Sequence, residues 1–210
     1  MTVAAERNIV ATFTSPGQYI DVRVEDQTGF FVLANEPGAP EWELVLRAGG
    51  GASDVLLILG LGAPLEVTGA IGAGFPMRKA ERHPLIVALG GTGVAAGRPI
   101  VARRISEGDA SRTKVLVGIR TRAELPMRGE LEAWLRSGVD VLVCLSQDDG
   151  SIEGIPYAHG YVQDVLRKSG AIPLPGECRL FAVGTGSMVD GLRRFALESG
   201  IAPDRVHTNH

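Results

Sequence analysis

A chain of 210 residues, 45% of them apolar, is long enough to build a real core in one large domain or two small ones. Its 24 acidic and 21 basic side chains leave a net charge of −3, so no global positive field gathers phosphate backbones, and nucleic acid is not an expected partner. The two cysteines, Cys144 in VLVCLS and Cys178 in ECRLFAV, fall short of the four clustered thiolates an iron–sulfur centre usually needs and read as reduced core thiols.

The opening MTVAAERNIV carries a charge at Glu6 and no long apolar run, so no secretory signal is expected. From Ile9 to about Met77 the segments are short and rich in β-formers. IVATF leads into the turn SPGQ, YIDVRVE alternates apolar and polar residues with a period of two, and the turn DQTG precedes FFVLAN. WELVLR follows EPGAP, and LEVT follows the glycines at Gly60 and Gly62. Such a succession predicts a small antiparallel barrel or sandwich over residues 1–78. The long, nearly uncharged run from Val55 to Met77 is broken by five glycines, two prolines and Glu66, which argues against a membrane span. A soluble cytoplasmic protein is the expectation.

A charged seam, Arg78-Lys79-Ala80-Glu81-Arg82-His83-Pro84, suits a linker, and the texture changes after it. LIVALG is a continuous apolar run, and VAAGRPIVARRISEG has helical spacing and stops at Gly108. VLVGIR predicts a strand, ELEAWLRSG a helix, VDVLVCLS a strand, GYVQDVLRKSG a helix, RLFAVG a strand and SMVDGLRRFALESG a helix. Strands alternating with helices predict a parallel sheet wrapped by helices over residues 84–210, with ligands bound outside the C-terminal strand ends.

Three loops fall at that edge. LIVALG runs into Gly90-Gly91-Thr92-Gly93, where glycines admit a phosphate and a helix N-terminus offers unpaired N–H groups. The next strand ends at Gly118-Ile119-Arg120-Thr121-Arg122, whose arginine forks match phosphate oxygens. The last ends at Val183-Gly184-Thr185-Gly186-Ser187-Met188. Each is also compatible with a plain strand-to-helix connection, but their coincidence on one edge favours a nucleotide site. No histidine pair has metal-ligand spacing: His83 and His159 read as solvated or loop residues, and His207 and His210 as terminal ones. Asp148-Asp149 reads as a turn, and Trp42 and Trp134 as packing residues.

The order PGQY, a segment ending LAN, a GGG turn, GAIGAGFPM, ALGGTGVA, GIRTRAEL, GYVQDVL, VGTGSMVDGLRR and RVHTN resembles the ferredoxin–NADP reductase superfamily from about Ser15 to Asn209. The nearest branches are the electron-transfer subunits of dihydroorotate dehydrogenase, here without the iron–sulfur region, and short reductase-like proteins. The resemblance implies a β-barrel followed by a Rossmann-like NAD(P)-binding domain. A flavin, FAD or FMN, would lie between the two, and hydride would pass between nicotinamide and the flavin N5. It places Gly91, Thr92 and Gly93 at the nucleotide pyrophosphate, Arg120 and Arg122 near the adenosine ribose, and Gly184 and Met188 beside the nicotinamide. Phe31, Val32, Leu33, Ala34 and Asn35 would border the flavin, and Gly49, Gly50, Gly51, Ala52 and Ser53 would wrap its phosphates.

The chain departs from that pattern. Where the family carries Arg-x-Tyr-Ser, with the arginine on phosphate, the tyrosine on the ring and the serine on N5, this chain has Gly29, Phe31 and Val32. Phe31 can still stack; Gly29 and Val32 supply neither charge nor side-chain hydrogen bond. Val183 replaces the frequent cysteine of the last strand, Ala96 the proline after the first nucleotide loop, and the C-terminal aromatic of plant-type reductases is missing. Two functions therefore stand: a flavin-dependent NAD(P)H oxidoreductase with a protein electron donor or acceptor, or a non-catalytic nucleotide-binding or interaction protein with a degenerate flavin site. Two arginines near a ribose favour NADPH over NADH.

Overall fold

The computed structural model describes residues 1–170, 172 and 174–209. The chain opens with β1 (Thr2–Val3) and a one-turn helix α1 (Arg7–Val10) where IVATF had predicted a strand. The Thr12 hydroxyl explains the difference: it donates to the Ile9 carbonyl at 2.6 Å, closing a helical turn, and accepts from the Ala70 N–H at 2.6 Å.

Period-two alternation then builds a hairpin. β2 (Tyr19–Val24) buries Ile20, Val22 and Val24 and pairs antiparallel with β3 (Gln27–Val32), from Tyr19↔Val32 to Val24↔Gln27. The turn is Glu25-Asp26, with Glu25 at φ 52°, so Gln27, Thr28 and Gly29 extend the strand instead of making the turn. β4 (Trp42–Glu43) pairs with β1, and Leu44 bridges to Leu33. A seven-residue helix α2 (Ala52–Ile58) follows the triple glycine, and β5 (Glu66–Val67) completes the sheet on the far side of β2. Ile20, Val22, Leu33, Leu44, Leu56 and Trp42 fill the interior of this small antiparallel barrel.

The charged seam is more than a linker, since α3 (Met77–Ala80) occupies it with Met77 and Ala80 buried. Beyond it come β6 (Leu85–Gly90), α4 (Val94–Ser106), β7 (Thr113–Ile119), α5 (Arg128–Arg136) and β8 (Asp140–Leu145). β9 (Tyr157–His159), α6 (Val162–Ser169), β10 (Arg179–Val183), α7 (Gly186–Glu198) and β11 (Val206–Thr208) complete the chain. The six strands form one parallel sheet in the order β11-β10-β6-β7-β8-β9. Its two faces carry separate cores, one containing Val87, Ile100, Leu131 and Trp134, the other Ile86, Leu116, Leu166 and Leu192.

The two halves share packing. Phe75 and Met77 belong to the core beneath α4, and the Phe75 ring stacks on Phe181 with centroids 4.7 Å apart. Burying a side chain such as Phe75 stabilises by roughly 1.5–3 kcal/mol. Arg98 of α4 reaches across to hydrogen-bond Glu43 of β4. No helix among the described residues is long and apolar enough to cross a membrane.

Candidate functional site

The parallel sheet reverses direction beside β6: the chain steps outward through β7, β8 and β9, then returns to the opposite side of β6 as β10 and β11. Such a switch point opens a crevice at the C-terminal strand ends. Gly90 of β6 pairs with Gly118 of β7, which pairs with Cys144 of β8, so small residues cross the sheet at this edge. Gly91–Gly93 forms a single 3-10 turn that feeds α4, while Gly184 and Thr185 feed α7. Two helix N-termini thus converge, each presenting N–H groups that favour an anion. The glycines are needed for close approach. A Cβ on Gly93 would sit 3.0 Å from the Val183 carbonyl oxygen, and one on Gly184 would sit 2.7 Å from the Met188 sulfur.

Opposite these loops stands the barrel wall, and together they enclose a cleft of about 1060 Å³. The pleat of β3 divides its aromatics. Leu33 is fully buried and Phe31 packs against the barrel core, whereas Val32 packs against the core of the parallel-sheet half. Phe30 lines the cleft at 70% exposure, with the Tyr19 ring edge-on to it at 5.8 Å.

The charges at the cleft are paired. Arg120 donates from Nη2 to Glu124 Oε1 at 2.6 Å, and Arg47 lies 4.0 Å from the same carboxylate. The Arg120 hydrogen bond holds the Glu124 carboxyl below its ordinary range, and Glu124 in turn raises the Arg120 guanidinium. Arg122 turns away: its N–H donates to Asp148 Oδ2 at 2.9 Å, and its guanidinium lies 3.8 Å from Oδ1. The backbone N–H groups of Arg122 and Gly150 hold the Asp148 carboxyl low. Burial pushes the Cys144 thiol up to about 12, leaving it protonated and inert in the cleft floor.

The predicted phosphate loop has a different character. Gly49, Gly50 and Gly51 have φ of 152°, 110° and 64°, a left-handed run that favours glycine. Two of their amides are already engaged, since Gly49 N–H and Gly50 N–H donate to the two oxygens of Asp54, each at 2.9 Å. A Cβ on Gly29 would lie 2.9 Å from Phe31 Cε2 and 3.1 Å from Ala52 Cβ, so a side chain there requires the Phe31 ring to shift.

Of the expected residues, Phe31, Val32, Gly91, Thr92, Gly93, Arg120, Gly184 and Met188 line this cleft. Leu33 and Ala34 are barrel interior, and Asn35 ties its own loop, accepting from Glu43 N–H at 2.9 Å. Gly49–Ser53 and Arg122 do not line the cleft. Sequence reasoning missed Tyr19, Phe30, Arg47, Tyr161 and Asn209, all of which line it. Arg47 carried a signal, as the cation of WELVLR next to the triple glycine; Asn209 carried none. His207 stays outside the cleft beside Phe181, at 5.5 Å, and burial followed by the charges of Arg179 and Lys79 lowers its pKa. His210 lies outside the described residues.

No protein-family model matches the chain. Ferredoxin–NADP reductase B of Sorangium cellulosum is 30% identical over 185 residues, covering 84% of this chain and 75% of that protein. The chain belongs to the ferredoxin–NADP reductase family. Fruit protein pKIWI502 of Actinidia deliciosa is 26% identical over 215 residues, covering 95% of this chain and 67% of that protein. A crystal structure of a ferredoxin–NADP+ reductase from Neisseria gonorrhoeae with bound FAD and NADP shares the fold, with a TM-score of 0.79 at 14% identity over 99% of this chain and 89% of that one. The chain spans about half to two thirds of the length of the first curated relatives it matches.

Proposed function

We propose that the protein is a flavin-dependent NAD(P)H oxidoreductase working in the cleft between a barrel unit, residues 1–78, and a nucleotide-binding unit, residues 84–210. The observation that carries this reading is the facing of two unlike walls: two glycine-lined helix N-termini on one side and an apolar aromatic wall on the other. The first suits a nicotinamide nucleotide, with Gly91, Thr92 and Gly93 under the phosphates and Gly184 and Met188 beside the nicotinamide. The second suits a flat ring set against Phe30, Phe31 and Val32.

The ring end of a flavin therefore fits the residues present. A flavin bound there would supply the two-electron acceptor for the nicotinamide hydride. The chain's own contribution is to bind and orient: Val32 and Phe30 fix one face, and the Gly90–Gly184 junction lets the nicotinamide approach the other. Arg120, once released from Glu124, is the natural partner of a ribose 2′-phosphate, which favours NADPH. Mixing the protein with NADPH, added flavin and an artificial electron acceptor tests this reading. Nucleotide oxidation is expected, and its absence with every flavin would leave a second reading, favoured by the uncharged Gly29 position and the capped glycine loop. In that reading the protein binds nucleotide without turnover.

A further inference from the structure

Both features that would grip flavin phosphates are taken up by the chain itself. At the triple glycine, the Asp54 carboxylate accepts from Gly49 N–H and Gly50 N–H, one oxygen each at 2.9 Å, so a fixed anion of the protein fills the place of a phosphate. The Gln27 side-chain Oε1 stands 3.8 Å from the Cβ position of Gly51, and its Nε2 donates to Asp26 Oδ1 at 3.1 Å, adding a second acceptor beside the loop. Gly29 stands where the family resemblance places a cation for the phosphates and supplies no charge, and the Phe31 ring and Ala52 Cβ pack around it. Arg47, which lines the cleft from this side, faces Glu124. An incoming pyrophosphate thus meets a carboxylate where two of the loop's amides would otherwise face it, and like charges a few ångströms apart repel. The ring wall remains, with Phe30 70% exposed in the cleft and the Tyr19 ring edge-on to it at 5.8 Å.

We propose that the cleft binds flavin by its ring alone and exchanges it, so that free flavin is a co-substrate rather than a resident group, with Asp54 as the residue that removes the advantage of a phosphate-bearing tail. This rests on the oxidoreductase reading above. The reaction balances without a further reactant: hydride leaves the reduced nicotinamide with two electrons, a proton comes from water, and oxidised nicotinamide and reduced flavin both depart.

The test is calorimetric titration of the intact chain with riboflavin, FMN and FAD, repeated for Asp54→Ala and Asp54→Asn. For the unaltered chain the three dissociation constants are expected within about threefold of one another. Asp54→Ala frees the two amides and should tighten FAD by about fivefold or more while leaving riboflavin unchanged. Asp54→Asn, which keeps the loop capped but removes the charge, should tighten FAD by a smaller factor. FAD bound more than about tenfold tighter than riboflavin by the unaltered chain, or yellow colour retained after desalting, overturns the proposal. So does an Asp54→Ala variant with unchanged FAD affinity and a riboflavin affinity showing it folded. If NADPH binds and none of the three flavins does, the oxidoreductase reading itself fails, a result distinct from tight FAD binding.

Discussion

Arg104 and Asp109 form an ion pair closed off from water, with Nη1 2.9 Å from Oδ2 and the two residues 0% and 3% exposed. The same guanidinium donates to the carbonyls of Ala80 at 2.6 Å and His83 at 2.8 Å and to the Thr113 hydroxyl at 2.8 Å, so it pins the seam between the halves to the parallel sheet. Removing the cation leaves a buried carboxylate uncompensated, and Arg104→Met should lose about 3–5 kcal/mol in denaturant unfolding. A loss near zero would show that the pair is not structural.

The same aspartate carries a pH dependence. Burial raises the Asp109 pKa, but the Arg82 N–H and the charges of Arg104 and Arg112 outweigh it, and the net shift is downward. A depressed carboxylate contributes stability that is present above its unfolded pKa, about 3.9, and is lost as pH falls further. Unfolding midpoints measured from pH 7 downward should fall in that acid range, and Asp109→Asn should flatten the decline.

Glu124 occupies Arg120, the residue proposed above to meet a ribose 2′-phosphate. Glu124→Gln weakens that hold and should tighten NADPH by about three- to tenfold with little change for NADH. Replacing Arg120 should weaken NADPH far more than NADH; equal losses for both nucleotides would contradict the assignment.

Gly93 and Gly97 separate binding from packing. A Cβ on Gly93 meets the Val183 carbonyl at 3.0 Å in the cleft, whereas one on Gly97 meets Leu89 Cδ1 at 2.6 Å in the core. Both alanine variants should lose about 1–3 kcal/mol of stability by overpacking. In titrations only Gly93→Ala should also lose NADPH affinity, by about tenfold. Equal affinity losses would remove Gly93 from the nucleotide site.

The cysteines should be silent. Burial raises Cys144 to about 12 and Cys178 to about 11, so at pH 8 an aromatic disulfide reagent should label neither until the chain is unfolded. Raised pKa values contribute stability that is full below the unfolded thiol value of about 8.5 and is lost as pH climbs towards those figures. Rapid native labelling would contradict the buried placement.

Long apolar runs made the α/β half legible: LIVALG, VLVGIR, VDVLVCLS and RLFAV are β6, β7, β8 and β10, because buried parallel strands need no alternation. The flanking strands β9 and β11 escaped notice because three-residue edge strands such as YAH and VHT carry no such run. In the barrel, β2 announced itself by alternation, but WELVLR yields only Trp42–Glu43 and ASDVLLI folds as α2, since short segments there take their shape from tertiary partners. The glycine and arginine loops could be placed at one sheet edge from sequence. The Asp54 cap could not, since it depends on where one side chain turns within a left-handed loop.

The most direct test of a shared cleft for nicotinamide and flavin ring is anaerobic mixing of the protein with NADPH and free flavin, followed by the flavin's visible band. The account predicts bleaching much faster than in a protein-free mixture, slowed in parallel by Gly93→Ala. A rate equal to that of the protein-free mixture would contradict it.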